Sequence, residues 1–251
     1  MRPALNYYLR MKTLIAATTF LLGAAVAGSA LTPEEGLKRI SWYGQSSLRI
    51  ELGGKLIWID PVGLGPAGVS AAEKADLILI THSHGDHFSP TDIERLRGPG
   101  TLVLAGFDNA VSNGKKLERI KPGDSRKLGE LLVEAVPAYN IVKADKHPKA
   151  SLFCGFILKA EGIAVYDAGD TERIPEMKAI SCDIAFLPLG QTYTMGSVGE
   201  AVQAALDVKA KIAVPFHYGL YEGSEKDADD FVSALKAKGV AALRLPSLRK
   251  K

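Results

Sequence analysis

Apolar residues fall into short, largely β-branched runs through the first half of the chain, and these runs predict strands. RISWYG, SLRIEL and KLIWID read as a meander, with Gly53-Gly54 as the hairpin turn between the last two. ADLILI and TLVLAG are unbroken apolar stretches of the length expected for buried strands. The helix between them is marked at both ends: Ser89 stands as N-cap, Pro90 at the first helical position, and Gly98 just beyond TDIERLR. KLGELLVEAVPA predicts a further hairpin. In the second half, ASLFCGFILKAEGIAVYDAGD predicts a strand, a turn at Glu161-Gly162 and a second strand. CDIAFLPLG and AKIAVPFH predict buried strands around a helix from about Val198 to Leu206, capped by Ser197. A last helix, about Glu225 to Lys238, starts at Ser224 and stops at Gly239 before a strand VAALRL; the terminal LRKK reads as a frayed tail. Hairpin-rich strands followed by strand–helix alternation, twice over, predict an α/β sandwich: two mixed β-sheets packed face to face with helices outside.

The first thirty residues stand apart from this pattern. Arg2, Arg10 and Lys12 precede an apolar run from Leu14 to Ala27, and the small residues of AVAGSA follow. That is the layout of a secretory signal peptide, with cleavage expected after Ala30 or, as second choice, Ala27. The run is short for a membrane span, which needs roughly 20 apolar residues, and Met11 is an alternative start. Residues 31–251 then form a single domain, periplasmic or secreted, with no membrane span. Removing the leader also changes the charge: 31 Lys and Arg less its three leaves 28, against 28 acidic residues, so the formal +3 falls to zero. A groove built on phosphate contacts would leave a basic surplus, so the expected partner is a small-molecule substrate and not nucleic acid. Composition leaves the oligomeric state open. Cys154 and Cys182, the two thiols, each lie in or beside a strand-like run and are expected to be buried and unpaired, although export permits a bridge.

Chemistry concentrates in LILITHSHGDHF. A strand ending at Ile80 delivers His82, His84, Asp86 and His87 into the loop before the Ser89 helix. His82 and His84, at alternate positions, can share one metal, while Gly85 lets the chain turn so that Asp86 and His87 address a second. Neutral imidazole and carboxylate suit first-row cations. Of the five histidines only His147 and His217 lie elsewhere. His217 ends AKIAVPFH at a strand tip, and Asp170 ends IAVYDAGD, which makes it the candidate carboxylate shared between two metals. GLGPAG, Gly63 to Gly68, matches a dinucleotide fingerprint only in spelling: Pro66 and the short VSAAEKA leave no helix opening at the glycines. It reads as a loop near the site entrance.

THSHGDH resembles the His-x-His-x-Asp-His signature of the metallo-β-lactamase superfamily, and GDT (Gly169–Thr171), TYTM (Thr192–Met195) and HYG (His217–Gly219) resemble its branch of metal-dependent hydrolases related to ascorbate-6-phosphate lactonase and N-acylphosphatidylethanolamine phospholipase D. The resemblance implies an αββα sandwich with two divalent metal ions, zinc foremost and manganese or iron as alternatives. His82 and His84 would serve one ion, Asp86, His87 and His217 the other, with Asp170 bridging. Many relatives place a third histidine for the first ion where this chain has Asn140. Three readings stay open: His147 folds back as the missing ligand, Asn140 binds through its carbonyl, or the first position is depleted. Gln45 and Asp167 also stand where relatives often carry histidine and, with Asp60, are candidates for orienting ligands. Tyr139, Tyr193 and Tyr218 are candidates for touching substrate. The implied reaction is hydrolysis of an ester, lactone or amide by metal-bound hydroxide, with Asp86 positioning the water and moving its proton. Phosphodiester hydrolysis at the same centre and a non-catalytic metal-binding role are the alternatives.

Overall fold

The unbroken apolar runs become strands covered on both faces. In the computed structural model, which describes residues 30–65, 70 and 73–249, a short helix α1 (Pro33–Leu37) leads into the first sheet. Its strands are β1 (Ile40–Trp42), β2 (Leu48–Leu52), β3 (Lys55–Ile59), β4 (Leu77–Ile80), β5 (Leu102–Ala105) and, beyond a ribbon of β6 (Val111–Ser112) and β7 (Lys115–Lys116), β8 (Glu118–Arg119). They lie in the order β1-β2-β3-β4-β5-β8. Pairing is antiparallel up to β3 and parallel beyond it. The second sheet holds β9 (Ser125–Leu128), β10 (Leu131–Pro137), β11 (Cys154–Ala160), β12 (Ile163–Asp167), β13 (Ile184–Pro188), β14 (Ile212–Phe216) and β15 (Ala241–Ala242), ordered β15-β14-β13-β12-β11-β10-β9. It is antiparallel from β9 to β12 and parallel from β12 to β15.

Parallel neighbours need crossovers, and for three of these pairs an α-helix supplies it. Helix α2 (Pro90–Leu96) joins β4 to β5, α3 (Val198–Asp207) joins β13 to β14, and α4 (Glu225–Lys236) joins β14 to β15. Their predicted caps are in place: the hydroxyls of Ser89, Ser197 and Ser224 accept the N–H of Asp92, Glu200 and Asp227. In β4 the side-chain period of two separates Leu77 and Leu79, which join the core between the sheets, from Ile78 and Ile80, which pack with Trp58, Ile93 and Leu96 beneath α2. Across the sandwich Ile57, Ile59 and Leu79 share one cluster with Leu131, Val133, Phe156 and Leu158. Leu79→Ala would cost about 2–5 kcal/mol there. With α2 outside one sheet and α3 and α4 outside the other, the architecture is the αββα sandwich.

The carboxyl end departs from expectation. VAALRL pairs only at Ala241–Ala242, and LRKK is not frayed as far as Arg249. Ser247 bridges to Trp42, and Leu248 N–H donates to Trp42 O at 2.8 Å. Strand β1 is a sheet edge with open backbone groups, and this segment covers them. Cys154 and Cys182 are buried and free. Residues 1–29 of the leader lie outside the described residues, as do residues 66–68 of GLGPAG. The remainder of that segment is tied to α2: Gly63 N–H donates to Asp92, and Arg95 donates to Gly65 O. Among the described residues no helix is long and apolar enough to cross a membrane.

Candidate metal centre

Four strand ends from both sheets converge at one edge of the sandwich. Strand β4 ends at Ile80 and hands Thr81 to His87 to the loop before α2. Strand β12 ends at Asp167, three residues before Asp170; β14 ends at Phe216, next to His217; β10 ends at Pro137, three residues before Asn140. Gly169 has φ +61°, and a Cβ there would lie 2.9 Å from Cys154 O and 3.3 Å from Thr81 Cγ2. Only glycine lets Asp170 turn inward at that spot. Three further site residues hold left-handed backbone without being glycine: Gln45 (φ 46°), Asp60 (φ 45°) and His217 (φ 59°). Such strain persists where surrounding bonds impose it, and functional sites are where it collects.

The side chains form three overlapping groups whose donor atoms lie within 4.8 Å of one another: His82/His84/His147, His82/His87/Asp170 and Asp86/His87/His217. Asp170 divides its carboxylate between them. Its Oδ2 lies 3.4 Å from His147 Nε2 and 3.9 Å from His82 Nε2, while its Oδ1 lies 3.2 Å from His87 Nε2 and 3.1 Å from His217 Nε2. In the outer pairs, His82 Nε2 is 3.1 Å from His84 Nδ1, and Asp86 Oδ2 is 3.6 Å from His87 Nε2 and 3.4 Å from His217 Nε2. Ligands about 2.0–2.1 Å from a tetrahedral ion stand roughly 3.3 Å apart. The spacing therefore matches donors arranged around cations.

Polar satisfaction points the same way. Asp170 Oδ1 and His147 Nε2 are buried without a hydrogen-bond partner, a costly state that a bound cation would relieve. The charges are strongly coupled. Burial opposes ionisation of Asp170, but His217 and His87 prevail and hold it well below the usual carboxylate range. Burial likewise works against Asp86, yet His217 and His87 bring it to about 2. Burial resists the cationic form of His217 and His87, but Asp170 raises both, His217 to about 9. Burial first, with the neighbouring imidazoles adding to it, depresses His82 and brings His147 to about 4 despite Asp170. These are neutral imidazoles beside imidazoles whose protons a cation would displace.

A surrounding layer holds these groups in place. Asp60 Oδ2 lies 2.6 Å from His87 Nδ1, and its carboxylate accepts the N–H and hydroxyl of Thr81. Glu222 Oε1 lies 3.0 Å from His217 Nδ1 in an ion-pair contact. Gln45 Nε2 lies 2.9 Å from Asp86 Oδ2 and 2.8 Å from His217 Nε2. His147 is not an exposed loop residue; it is 1 % exposed. Its loop is folded back because Glu172 accepts the N–H groups of Ile141, Val142 and Lys143, and because Asn140 N–H donates to His147 O. Asn140 Nδ2 lies 3.1 Å from His147 Nδ1 and donates to Tyr193 O at 2.7 Å. Its amide nitrogen thus sits against the imidazole, while its side-chain oxygen is buried without a partner. Asp167 joins none of the groups. It accepts Gly169 N–H, and burial together with Asp60 pushes it up to about 8.

A cavity of about 450 Å³ opens over the centre, floored by Asp86, His147, Asp170 and His217 and walled by His84, Lys146, Tyr193 and Tyr221. Two of the three tyrosine expectations are corrected. Tyr139 is buried with its hydroxyl on Glu176 and Lys149, and Tyr218 packs its ring on Trp42 at 5.1 Å. Each is held by the apolar packing and polar tip that a tyrosine offers inside a fold. Sequence reasoning missed Thr81, Glu172 and Glu222 in the supporting layer and Lys146 and Tyr221 on the wall. Thr81 carried a signal, a hydroxyl between a buried strand and the first ligand-type histidine. The other four carried none, since an acid, a lysine or a tyrosine in a polar loop looks like any solvated residue.

Residues 39–217 match the beta-lactamase superfamily domain family. Among curated proteins, the chain is 34% identical over 215 residues to a UPF0173 metal-dependent hydrolase of Archaeoglobus fulgidus, covering 80% of this chain and 92% of that one. A crystal structure from Parabacteroides distasonis, of a protein bearing the name metal-dependent hydrolase, superposes with TM-score 0.72 at 36% identity over 82% of this chain and 91% of the other. Igni18, a metallo hydrolase of Ignicoccus hospitalis, superposes with TM-score 0.68 at 26% identity over 84% and 95%. The chain belongs to the metallo-β-lactamase-fold branch of the beta-lactamase superfamily. Within it the protein is a metal-dependent hydrolase.

Proposed function

We propose that this hydrolase acts on an ester, lactone or amide bond of a small substrate with two divalent cations, zinc foremost. His82, His84 and His147 would hold one, and Asp86, His87 and His217 would hold the other. Asp170, with Oδ2 near His147 and Oδ1 near His87 and His217, would serve both. The observation that carries this reading is the division of Asp170, with His147 on one side and His87 and His217 on the other, at 3.1–3.4 Å. A donor set of imidazole and carboxylate suits zinc, and also manganese or iron. Such ions, when bound, supply Lewis acidity and lower the pKa of water from 15.7 toward ~7.

The chain's own groups do the rest. Asp86, ionised and half-buried at the cavity floor, takes the proton of the attacking water and gives it to the leaving group. Ser46 keeps it there: its hydroxyl donates to Asp86 O. Tyr193 and Lys146, on the wall, offer donors to the substrate carbonyl. Lys146 also favours a second reading, phosphodiester hydrolysis, because its ammonium suits an anionic substrate. The leader-like residues 1–30 support action in the periplasm or outside the cell.

A panel of simple esters, lactones, amides and bis-p-nitrophenyl phosphate, assayed with chelator and with metal added back, tests the proposal. Two metal equivalents and chelator-sensitive hydrolysis of the carbonyl substrates are expected. Preference for the phosphodiester would replace the substrate class. Protein that takes up no transition metal on reconstitution would end the whole reading.

A further inference from the structure

Gln45 lies in the turn between β1 and β2, 3 % exposed and in left-handed backbone. Its carbonyl accepts Trp42 Nε1–H at 2.9 Å and His217 N–H at 3.1 Å, so the turn is locked and its side chain is held against the centre. The amide nitrogen sits 2.8 Å from His217 Nε2 and 2.9 Å from Asp86 Oδ2, while the amide oxygen is buried with no partner. The terminal atom of Gln45 is therefore one more vertex on the figure outlined by Asp86, His87 and His217, whose own edges run from 3.2 to 3.6 Å.

The amide orientation is where the chemistry decides. His217 Nδ1 lies 3.0 Å from the Glu222 carboxylate, while Nε2 points into the figure outlined by Asp86, His87 and Gln45, so Nε2 is the nitrogen placed to offer its lone pair to a cation. Once a cation takes that lone pair, a Gln45 N–H at 2.8 Å has lost its acceptor and faces positive charge. A half-turn of the amide exchanges the two atoms with little change of shape. We propose that Gln45 is a ligand of the second cation through its side-chain oxygen, an inference that rests on the two-cation reading above. The two positions then differ in kind. The first has three imidazoles and one carboxylate oxygen; the second has two imidazoles and three oxygens, one of them neutral. Oxygen-rich positions accept manganese more readily than imidazole-rich ones.

Metal-free protein, Gln45→Ala and Gln45→Glu are titrated with zinc and with cobalt(II) against a chromophoric chelator, with circular dichroism checking the fold and cobalt absorption reporting the ligand set. Wild type is expected to bind two equivalents. Gln45→Ala should bind the second roughly 10–100-fold more weakly, with an altered cobalt spectrum. Gln45→Glu should bind it at least as tightly as wild type, because a carboxylate oxygen replaces the carbonyl at the same vertex. If Gln45 merely donates N–H to Asp86, Gln45→Glu sets carboxylate against carboxylate and weakens the second equivalent; that result overturns the inference, as does a Gln45→Ala protein with unchanged second affinity. In both cases wild type still binds two ions and the two-cation reading stands. Wild type binding fewer than two would sink that reading and this inference together.

Discussion

Glu222 offers the sharpest separation between holding a loop and tuning a ligand. Its carboxylate is fully buried, accepts three hydrogen bonds and stands in ion-pair contact with His217. Oε2 accepts Thr192 N–H at 3.0 Å and Tyr193 N–H at 2.6 Å, and Oε1 accepts the Thr194 hydroxyl at 3.2 Å beside His217 Nδ1 at 3.0 Å. Gly190 is glycine because this carboxylate lies where its Cβ would be. In Glu222→Gln the one remaining oxygen stays on the two backbone amides, and the new NH2 faces His217 Nδ1. The folded state loses one charge-assisted contact, about 1.5–3 kcal/mol. His217 loses the carboxylate that directs its lone pair, so affinity for the second cation should fall roughly 10–100-fold, while the first, served by His82, His84 and His147, keeps its affinity. Glu222→Ala also strands the Thr192 and Tyr193 amides, at about 1–3 kcal/mol each, and should unfold markedly earlier. Urea denaturation in chelator reads the stability change; competition titration reads the two affinities. Equal weakening of both cations would refute the reasoning. It would mean that Glu222 acts through the Tyr193 segment, which Asn140 links to His147, and not through His217. An unchanged second affinity would refute it more simply.

His147→Ala should hold about one equivalent of metal after dialysis where wild type holds two; equal content by elemental analysis would reject His147 as a ligand. In the metal-free protein His147 has its pKa depressed by burial to about 4, against roughly 6.5 when unfolded. Above pH 6.5 it carries no penalty. As pH falls from 6.5 to 4 the unfolded chain takes the proton first, and the fold loses up to roughly 3 kcal/mol. His217, raised to about 9, runs the other way: its contribution is complete below 6.5 and is lost as pH rises through 9. Urea melts of metal-free wild type and His147→Gln should therefore diverge between pH 6.5 and 4, and parallel curves would contradict the linkage. Burial pushes the thiols of Cys154 and Cys182 up to about 12, leaving roughly one thiolate in ten thousand at pH 8. Disulfide reagents should find both only after unfolding; free-thiol rates on the folded protein would refute their burial.

Local patterns carried most of the architecture. The hairpin at Gly53-Gly54, the double-faced strand LILI and the caps Ser89, Ser197 and Ser224 depend on residues within a few positions of one another, and all were legible. The capping box of Thr32 and Glu35 that starts α1 is an equally plain helix-start signal. The two-residue strands β6, β7 and β8 are too short to show a period. Within the centre, THSHGDH was legible because its ligand-type residues crowd one loop at a strand end.

What completes that centre was decided by the tertiary structure. Asn140 and His147 remained rivals in the sequence because the choice depends on Glu172 gathering three amides from a loop some thirty residues away. Glu222 becomes an orienting carboxylate only when β14 brings His217 opposite the Thr192–Thr194 turn. Tyr139 and Tyr218 face packing and not substrate because Glu176 and Trp42 wait on their other sides. Chain-local free energies of turns, caps and alternation are settled by near neighbours and can be read along the sequence. Burial, orphaned polar atoms and ligand geometry arise only where distant strand ends meet, and those meetings exist in the assembled sandwich alone.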